Sequence, residues 1–295
     1  MLSRAAFPVA FLSLSLCAAF SFAAVKPEPV MKPEDLSAAA TILRNADLLL
    51  ASESGDADKV RALLKAGVSP DATRNTGATA LSYAVMGRHL EVVKVLLEAR
   101  ADPNRDTAGM TPLFLASENG DVEIVKALLR AGAKVDAKLQ AVDEDMRVRN
   151  GDTPLIAAAS PTGTAAVTRV LLSAGADVNA KAENGKTAVL QAVAAENVAV
   201  LKALLEAKPD VKARMSGEED FDALTLAVGK GRADLVQMLL AAGADPGVKI
   251  DNEVTLLEFA ILSNQAEIAA MLREAGVREP AADRLAALRK AAAQP

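Results

Sequence analysis

Few side chains in this 295-residue sequence could carry chemistry. His89 is the only histidine and Cys17 the only cysteine. An imidazole catalyst needs a nucleophile or an orienting acid beside it in the fold. No G-x-S-x-G, phosphate-loop or zinc-ligand spacing accompanies His89, and a structural place in a turn is its expected role. Gly229-Lys230-Gly231 reads as a turn, since it lacks the further glycine and the hydroxyl of a phosphate loop. The carboxylates are the remaining chemical resource, because glycoside hydrolysis needs only two, one of them kept protonated by its surroundings. Acidic residues on exposed loops are solvated and have little reason for a raised pKa. They are expected to serve recognition or solubility, with a hydrolase or ligand-binding protein using such carboxylates as the alternative. Asp143, Glu144 and Asp145, followed by Arg147 and Arg149, form the densest charged cluster. It lacks the glycine and the ligand spacing of a calcium loop, so no metal and no cofactor is expected.

Composition narrows the setting in which these residues sit. Hydrophobic residues make up 51% of the chain, too many for a mainly disordered protein, while aromatics are 3% with no Trp. The core must therefore be built from Leu, Val, Ile and Ala, as in close-packed helices. The formal net charge is −5, with no basic run suited to a phosphate backbone, so no nucleic-acid partner is expected. Residues 1–23 read as a cleaved signal peptide: Arg4 supplies the positive start, residues 7–22 the apolar stretch, and Ser21-Phe22-Ala23 the small-x-small cleavage site. A periplasmic or secreted protein follows from that reading. The alternative is an uncleaved membrane anchor, since residues 5–24 approach the roughly 20 needed to span a bilayer. Lipid attachment at Cys17 is disfavoured by Leu16, where a small residue is required. The processed chain would have no cysteine, hence no disulfide framework.

The elements that must position everything else are repeats. TALSYAVMGRHLEVVKVLLEARADPN from Thr79, TPLFLASENGDVEIVKALLRAGAKVD from Thr111 and TPLIAAASPTGTAAVTRVLLSAGADVN from Thr153 are copies of one unit. Weaker copies start at Thr187, Asp222 and Thr255, and another near Ala46. Five of the six steps between successive starts are 32 to 35 residues long; the step from 111 to 153 is 42. In each unit a threonine oxygen can cap a helix, and Pro112 or Pro154 fits its first turn, where a missing N–H costs nothing. Leu113 and Ala116 share a face, Gly120 opens a turn, and Ile124, Val125, Leu128 and Leu129 lie along a second helix, with burial expected at Leu128 and Leu129. Gly67, Gly132, Gly175, Gly243 and Gly276 follow the second helix, where a left-handed residue closes it most cheaply.

This unit resembles the ankyrin repeat, whose period is about 33 residues and whose signature includes Thr-Pro-Leu-x-x-Ala. The resemblance covers residues 44–279 and implies an all-α solenoid of about seven helix-turn-helix repeats with β-turn fingers. It further implies a concave binding surface formed by the fingers and first helices. His89 then stands at the inter-helix turn, where the family commonly places a histidine. Three departures are visible: Arg88 replaces the turn glycine, Ser160-Pro161-Thr162-Gly163 lengthens a turn by one residue, and Lys208-Pro209 replaces Gly-Ala. Around the array, residues 24–43 read as a Pro-rich linker and a short helix over 34–44, and residues 280–295 as a capping helix or tail. The long spacing falls in an enlarged finger over residues 139–152, either a tolerated insertion or a protruding recognition element.

Carried over position by position, the resemblance implies that Asn75, Thr76, Met86, Met110, Glu118 and Asn119 face a partner from the first half of the array. Arg149, Asp152, Glu183, Lys186, Glu218, Glu219, Phe221, Lys230 and Asp251 do so from the second half, and the enlarged finger adds Asp143, Glu144 and Asp145. The acidic bias points to another protein with a basic patch. The expected function is that of a non-catalytic protein-binding scaffold or inhibitor, expected to be a monomer, with membrane contact only if the leader is retained.

Overall fold

The computed structural model describes residues 33–73, 77–140, 150–215, 221–250 and 254–292. The chain divides into two units, residues 1–39 and 40–295, and all seven repeat starts lie in the second. Among the described residues, seven helical hairpins follow one another. They are α1 (Pro33–Ser54) with α2 (Ala57–Lys65), α3 (Ala80–Met86) with α4 (Leu90–Glu98), and α5 (Pro112–Glu118) with α6 (Val122–Arg130). Next come α7 (Pro154–Ala157) with α8 (Ala165–Ser173), α9 (Ala188–Ala194) with α10 (Val198–Glu206), α11 (Ala223–Gly229) with α12 (Ala233–Ala241), and α13 (Leu256–Leu262) with α14 (Ala266–Glu274). Helix α15 (Ala282–Ala292) follows and lies against α13. Two fingers form antiparallel strand pairs, β1 (Arg214–Met215) with β2 (Phe221–Asp222) and β3 (Lys249–Ile250) with β4 (Val254–Thr255). This is the expected all-α solenoid.

Six of the seven repeat starts read from the sequence are helix caps, while Ala46 lies inside α1. The side chains of Thr79, Thr111, Thr153, Thr187, Asp222 and Thr255 each accept the N–H three residues on, satisfying a donor that the first turn leaves open. At Thr79 and Thr255 the bond is returned by Ser82 and Glu258, completing capping boxes. First helices pack in series from α3 through α5, α7, α9 and α11 to α13. Second helices do the same from α2 through α4, α6 and α8 to α10, and α12 packs on α14. Between the layers runs one continuous core of small and branched side chains, including Leu81, Val93, Leu113, Val125, Leu128, Leu171, Leu201, Leu224 and Leu272. Burying a side chain of that size is worth roughly 1.5–3 kcal/mol, so each repeat draws its stability from its neighbours.

Two expectations need correction, and one irregularity has a further effect. The short helix over 34–44 is the start of a single helix, Pro33–Ser54, that runs on through the first repeat, because no Gly or Pro interrupts residues 34–54. Leu129 is half-buried whereas Leu128 is fully buried, since one helical step of about 100° carries it off the inward stripe of α6. The longer turn at Ser160–Gly163 shortens its own first helix, leaving α7 four residues long.

The unusual turn residues keep the turn geometry. Arg88 and Lys208 adopt the left-handed backbone that glycine takes elsewhere, at φ 60° and 53°. So do Arg100, Glu196 and Asn264, which sequence reading had not singled out.

Candidate binding face

Two ladders of hydrogen bonds hold successive repeats in register. At the hairpin turns, His89 Nε2 donates to the Glu53 carbonyl over 2.9 Å. The Thr162 hydroxyl donates to the Glu118 carbonyl at 2.8 Å, and the Asn197 amide reaches the Ser160 and Gly163 carbonyls at 3.2 and 3.0 Å. The Gln265 amide reaches the Val228 carbonyl at 3.0 Å. At the opposite end of each hairpin, Asx side chains accept backbone N–H groups from the next repeat: Asp71 from Asp102, Asn104 from Lys134, Asp136 from Asp177, and Asn179 from Asp210. Each bond is worth about 0.5–1.5 kcal/mol net, and their joint effect is to fix where each finger stands.

His89 is thus part of the scaffold. A Cβ on Gly55 would lie 2.6 Å from its Nδ1 and one on Gly87 2.5 Å from its ring, so two glycines make room for the imidazole. A carbonyl partner requires the proton to sit on Nε2.

Ion pairs add a second set of cross-repeat links. Arg88 forks onto Asp121, and Arg169 onto Glu206. Glu196 binds both Lys230, at 3.3 Å, and Arg232, which also holds Asp234. Hydrogen bonds from Arg232 and Lys230 hold the Glu196 carboxyl below its ordinary pKa. At Glu258 burial pushes the pKa up, but bonds from the Thr255 backbone, Arg284 and the Thr255 hydroxyl together bring it below the ordinary value. The carboxyls of Glu123, Glu196, Glu206, Asp234, Glu258 and Glu279 are all displaced downward, the opposite of what a general acid requires. Among the described residues no group of three or more His, Cys, Asp or Glu could hold a metal ion.

The residues expected on the recognition face fall into three groups. Asn75, Thr76, Asp143, Glu144, Asp145, Arg149, Glu218, Glu219 and Asp251 lie outside the described residues. Met86 and Glu183 are exposed, while Met110, Glu118, Asn119 and Phe221 are half-buried on fingers and first helices. Lys230 is exposed at the end of α11 but bonded to Glu196.

Asp152 and Lys186 are corrections. Their side chains are 3% and 12% exposed and joined at 2.9 Å, so they form an internal ion pair rather than a surface for a partner. Burial of that pair follows from how the enlarged finger closes. The Leu139 N–H donates to the Asp152 carbonyl at 2.8 Å, and the Gly151 N–H to the Leu139 carbonyl at 2.9 Å. Leu139 itself is buried with Phe114 and Ala157 in a small separate cluster against Met110. The finger's two ends are therefore part of the body.

Sequence reading missed a cleft of about 220 Å³ beside the finger of the sixth repeat. Leu190, Ala194, Met215, Phe221 and Leu226 line it, with Asn184, Lys186 and Gln191 completing the wall. Of these, Phe221 and Lys186 had been marked. The cross-strand pairing of Phe221 with Met215 was the available signal, because two apolar residues flanking a polar finger tip must share one side of it.

Helical hairpins capped by Thr or Asp, joined by fingers and stacked in two layers, are accompanied by direct family matches. A model described as ankyrin repeats in three copies matches residues 48–139 and 138–215, and one described as ankyrin repeat matches residues 220–251. The chain belongs to the ankyrin-repeat family. It is similar to the ankyrin repeat and KH domain-containing protein mask-1 of Caenorhabditis elegans, 28% identical over 248 residues, which are 75% of this chain and 9% of that protein. It is also 28% identical over 207 residues to the ankyrin repeat protein YahD of Escherichia coli, covering 68% of this chain and 96% of YahD. The p105 subunit of nuclear factor NF-kappa-B from Gallus gallus is 30% identical over 217 residues, 59% of this chain and 21% of the subunit. Ankyrin arrays of this chain's kind thus occur in mask-1 and p105 as a small part of much longer proteins.

Proposed function

We propose that this ankyrin array is a non-catalytic protein-binding scaffold or inhibitor, acting in the periplasm or outside the cell, that holds a locally basic partner on its fingers and first helices. One observation carries the reading. The turn and finger ladders use backbone groups and short polar side chains to stack the repeats, and they leave Met86, Glu183 and the cleft at Phe221 on the open side. Membership of the family supports protein binding, since fold alone does not name a ligand. Export rests on Arg4, the apolar stretch and Ser21-Phe22-Ala23, all outside the described residues; among those described, no helix is long and apolar enough to cross a membrane.

Association kinetics test the binding half, with a partner obtained by affinity purification on the chain. Charge reversal at Glu183, Glu218 and Glu219 should slow association and flatten its salt dependence, whereas Phe221→Ala should mainly speed dissociation. Unchanged rates in all of these variants would remove this face from consideration. N-terminal sequencing tests the export half: a start near Ala24 supports it, and an intact chain in the membrane fraction overturns it.

A further inference from the structure

We propose that the cleft between the fifth and sixth repeats receives one large apolar side chain from a partner segment that carries Lys or Arg beside it. The proposal rests on the reading that fingers and first helices form the binding face, and it names what one part of that face selects. At about 220 Å³ the cleft is smaller than the roughly 300–1,000 Å³ of small-molecule sites, so its size suits a side chain rather than a metabolite. Its floor is Leu190, which is 2% exposed. Met215, Phe221 and Leu226 form the walls, and each also packs against the main core, so the cleft is held open before anything binds. A preformed apolar pocket near the centre of a face is where binding energy concentrates.

Charge decides what flanks the apolar group. Between the strands Arg214–Met215 and Phe221–Asp222 the sequence carries Glu218, Glu219 and Asp220, and exposed Glu183 adjoins Asn184 on the other wall. Of the cations around the cleft, Lys186 is engaged with Asp152, and Lys230 and Arg232 with Glu196. A segment presenting a basic residue beside the anchor complements that field, and an acidic one is repelled by it. The chain shows the same chemistry one repeat further on. Helix α15 lies against α13 with Leu285 and Leu288 half-buried, and Arg284 Nε is 2.9 Å from the nearly buried Glu258.

A displayed random-peptide library selected on the full chain provides the probe. The expected result is a shared motif of one Leu, Met, Ile or Phe with Lys or Arg within two positions. Synthetic versions should bind at least tenfold more weakly to Ala194→Trp, which fills the cleft from its exposed rim, and to Gln191→Arg, which sets a cation there. Lys126→Glu on α6, in the second-helix layer, should leave binding within twofold. A motif lacking the cation, or binding within twofold on folded Ala194→Trp and Gln191→Arg, overturns the proposal. If those two are silent while Met86→Arg weakens the peptides, the cleft assignment falls and the binding face stands; if Met86→Arg is silent too, both fall.

Discussion

Replacing Lys186 by Met separates a structural role from a recognition role at the same residue. The substitution keeps the length of the side chain and removes its charge, leaving the Asp152 carboxylate, 3% exposed, without the ammonium that stood 2.9 Å away. Removing one partner of a buried charge costs up to about 3–5 kcal/mol where nothing else compensates it, so the loss here should exceed that of an ordinary surface change. Asp152→Asn leaves the charge on Lys186 instead, which at 12% exposure lies closer to solvent, so its cost should be smaller, about 1–3 kcal/mol. Urea unfolding at neutral pH followed by circular dichroism measures both. Hydrogen exchange reports where the loss falls: the Leu139 and Gly151 amides, which close the base of the enlarged finger, should exchange faster in Lys186→Met. A loss below about 0.5 kcal/mol, the range of ordinary surface changes, would refute the buried-pair reasoning. So would a larger loss in Asp152→Asn than in Lys186→Met.

Leu128→Ala should cost about 2–5 kcal/mol in thermal or urea unfolding, since the side chain is fully buried, and Leu129→Ala clearly less. Lys208→Gly should stabilise the array by about 0.5–1 kcal/mol, because it relieves roughly 1–2 kcal/mol of left-handed strain against a smaller gain in unfolded-state freedom; denaturant midpoints measure it. Glu258 titrates in the folded chain below its ordinary 4.5, so above that value its ionised form adds stability, and the contribution is lost as pH falls through the lower folded value. The stability gap between wild type and Glu258→Gln should therefore be constant near neutrality and close as pH falls below the ordinary value of 4.5, as read by unfolding at a series of pH values.

The repeat frame was legible because it is written in local chemistry. Thr111 and Thr153 cap where Thr-Pro predicts a cap, and the five glycines after the second helices take positive φ. What was not legible is non-local. Asp152 and Lys186 are 34 residues apart in sequence, and nothing near either one shows that the enlarged finger folds its end inward. Arg100 and Glu196 have no compositional mark of a left-handed turn, unlike Asn264, whose side-chain type tolerates it; at the first two positions stacking imposes the conformation. Helix α1 was cut short on paper because the repeat pattern stops near residue 44, but helix propensity continues without a breaker.

The same distinction bears on where specificity can reside in a repeat array. Positions that stack repeats must recur, since each hairpin meets an equivalent neighbour, and such recurrence makes them readable but unspecific. The cleft at Phe221 and the enlarged finger are the opposite case. Met215 and Phe221 share one finger face, and no other strand-paired finger of the described residues sets an aromatic against a methionine. Likewise, the two ends of the enlarged finger are tied by Leu139 and Asp152 into the body, so its base is fixed. A partner that distinguishes this array from other ankyrin arrays must draw on what does not repeat. In the sixth repeat the apolar wall formed by Met215 and Phe221 borders a stretch whose sequence is acidic, Glu218 to Asp220, and no other strand-paired finger of the described residues sets such a stretch beside an aromatic.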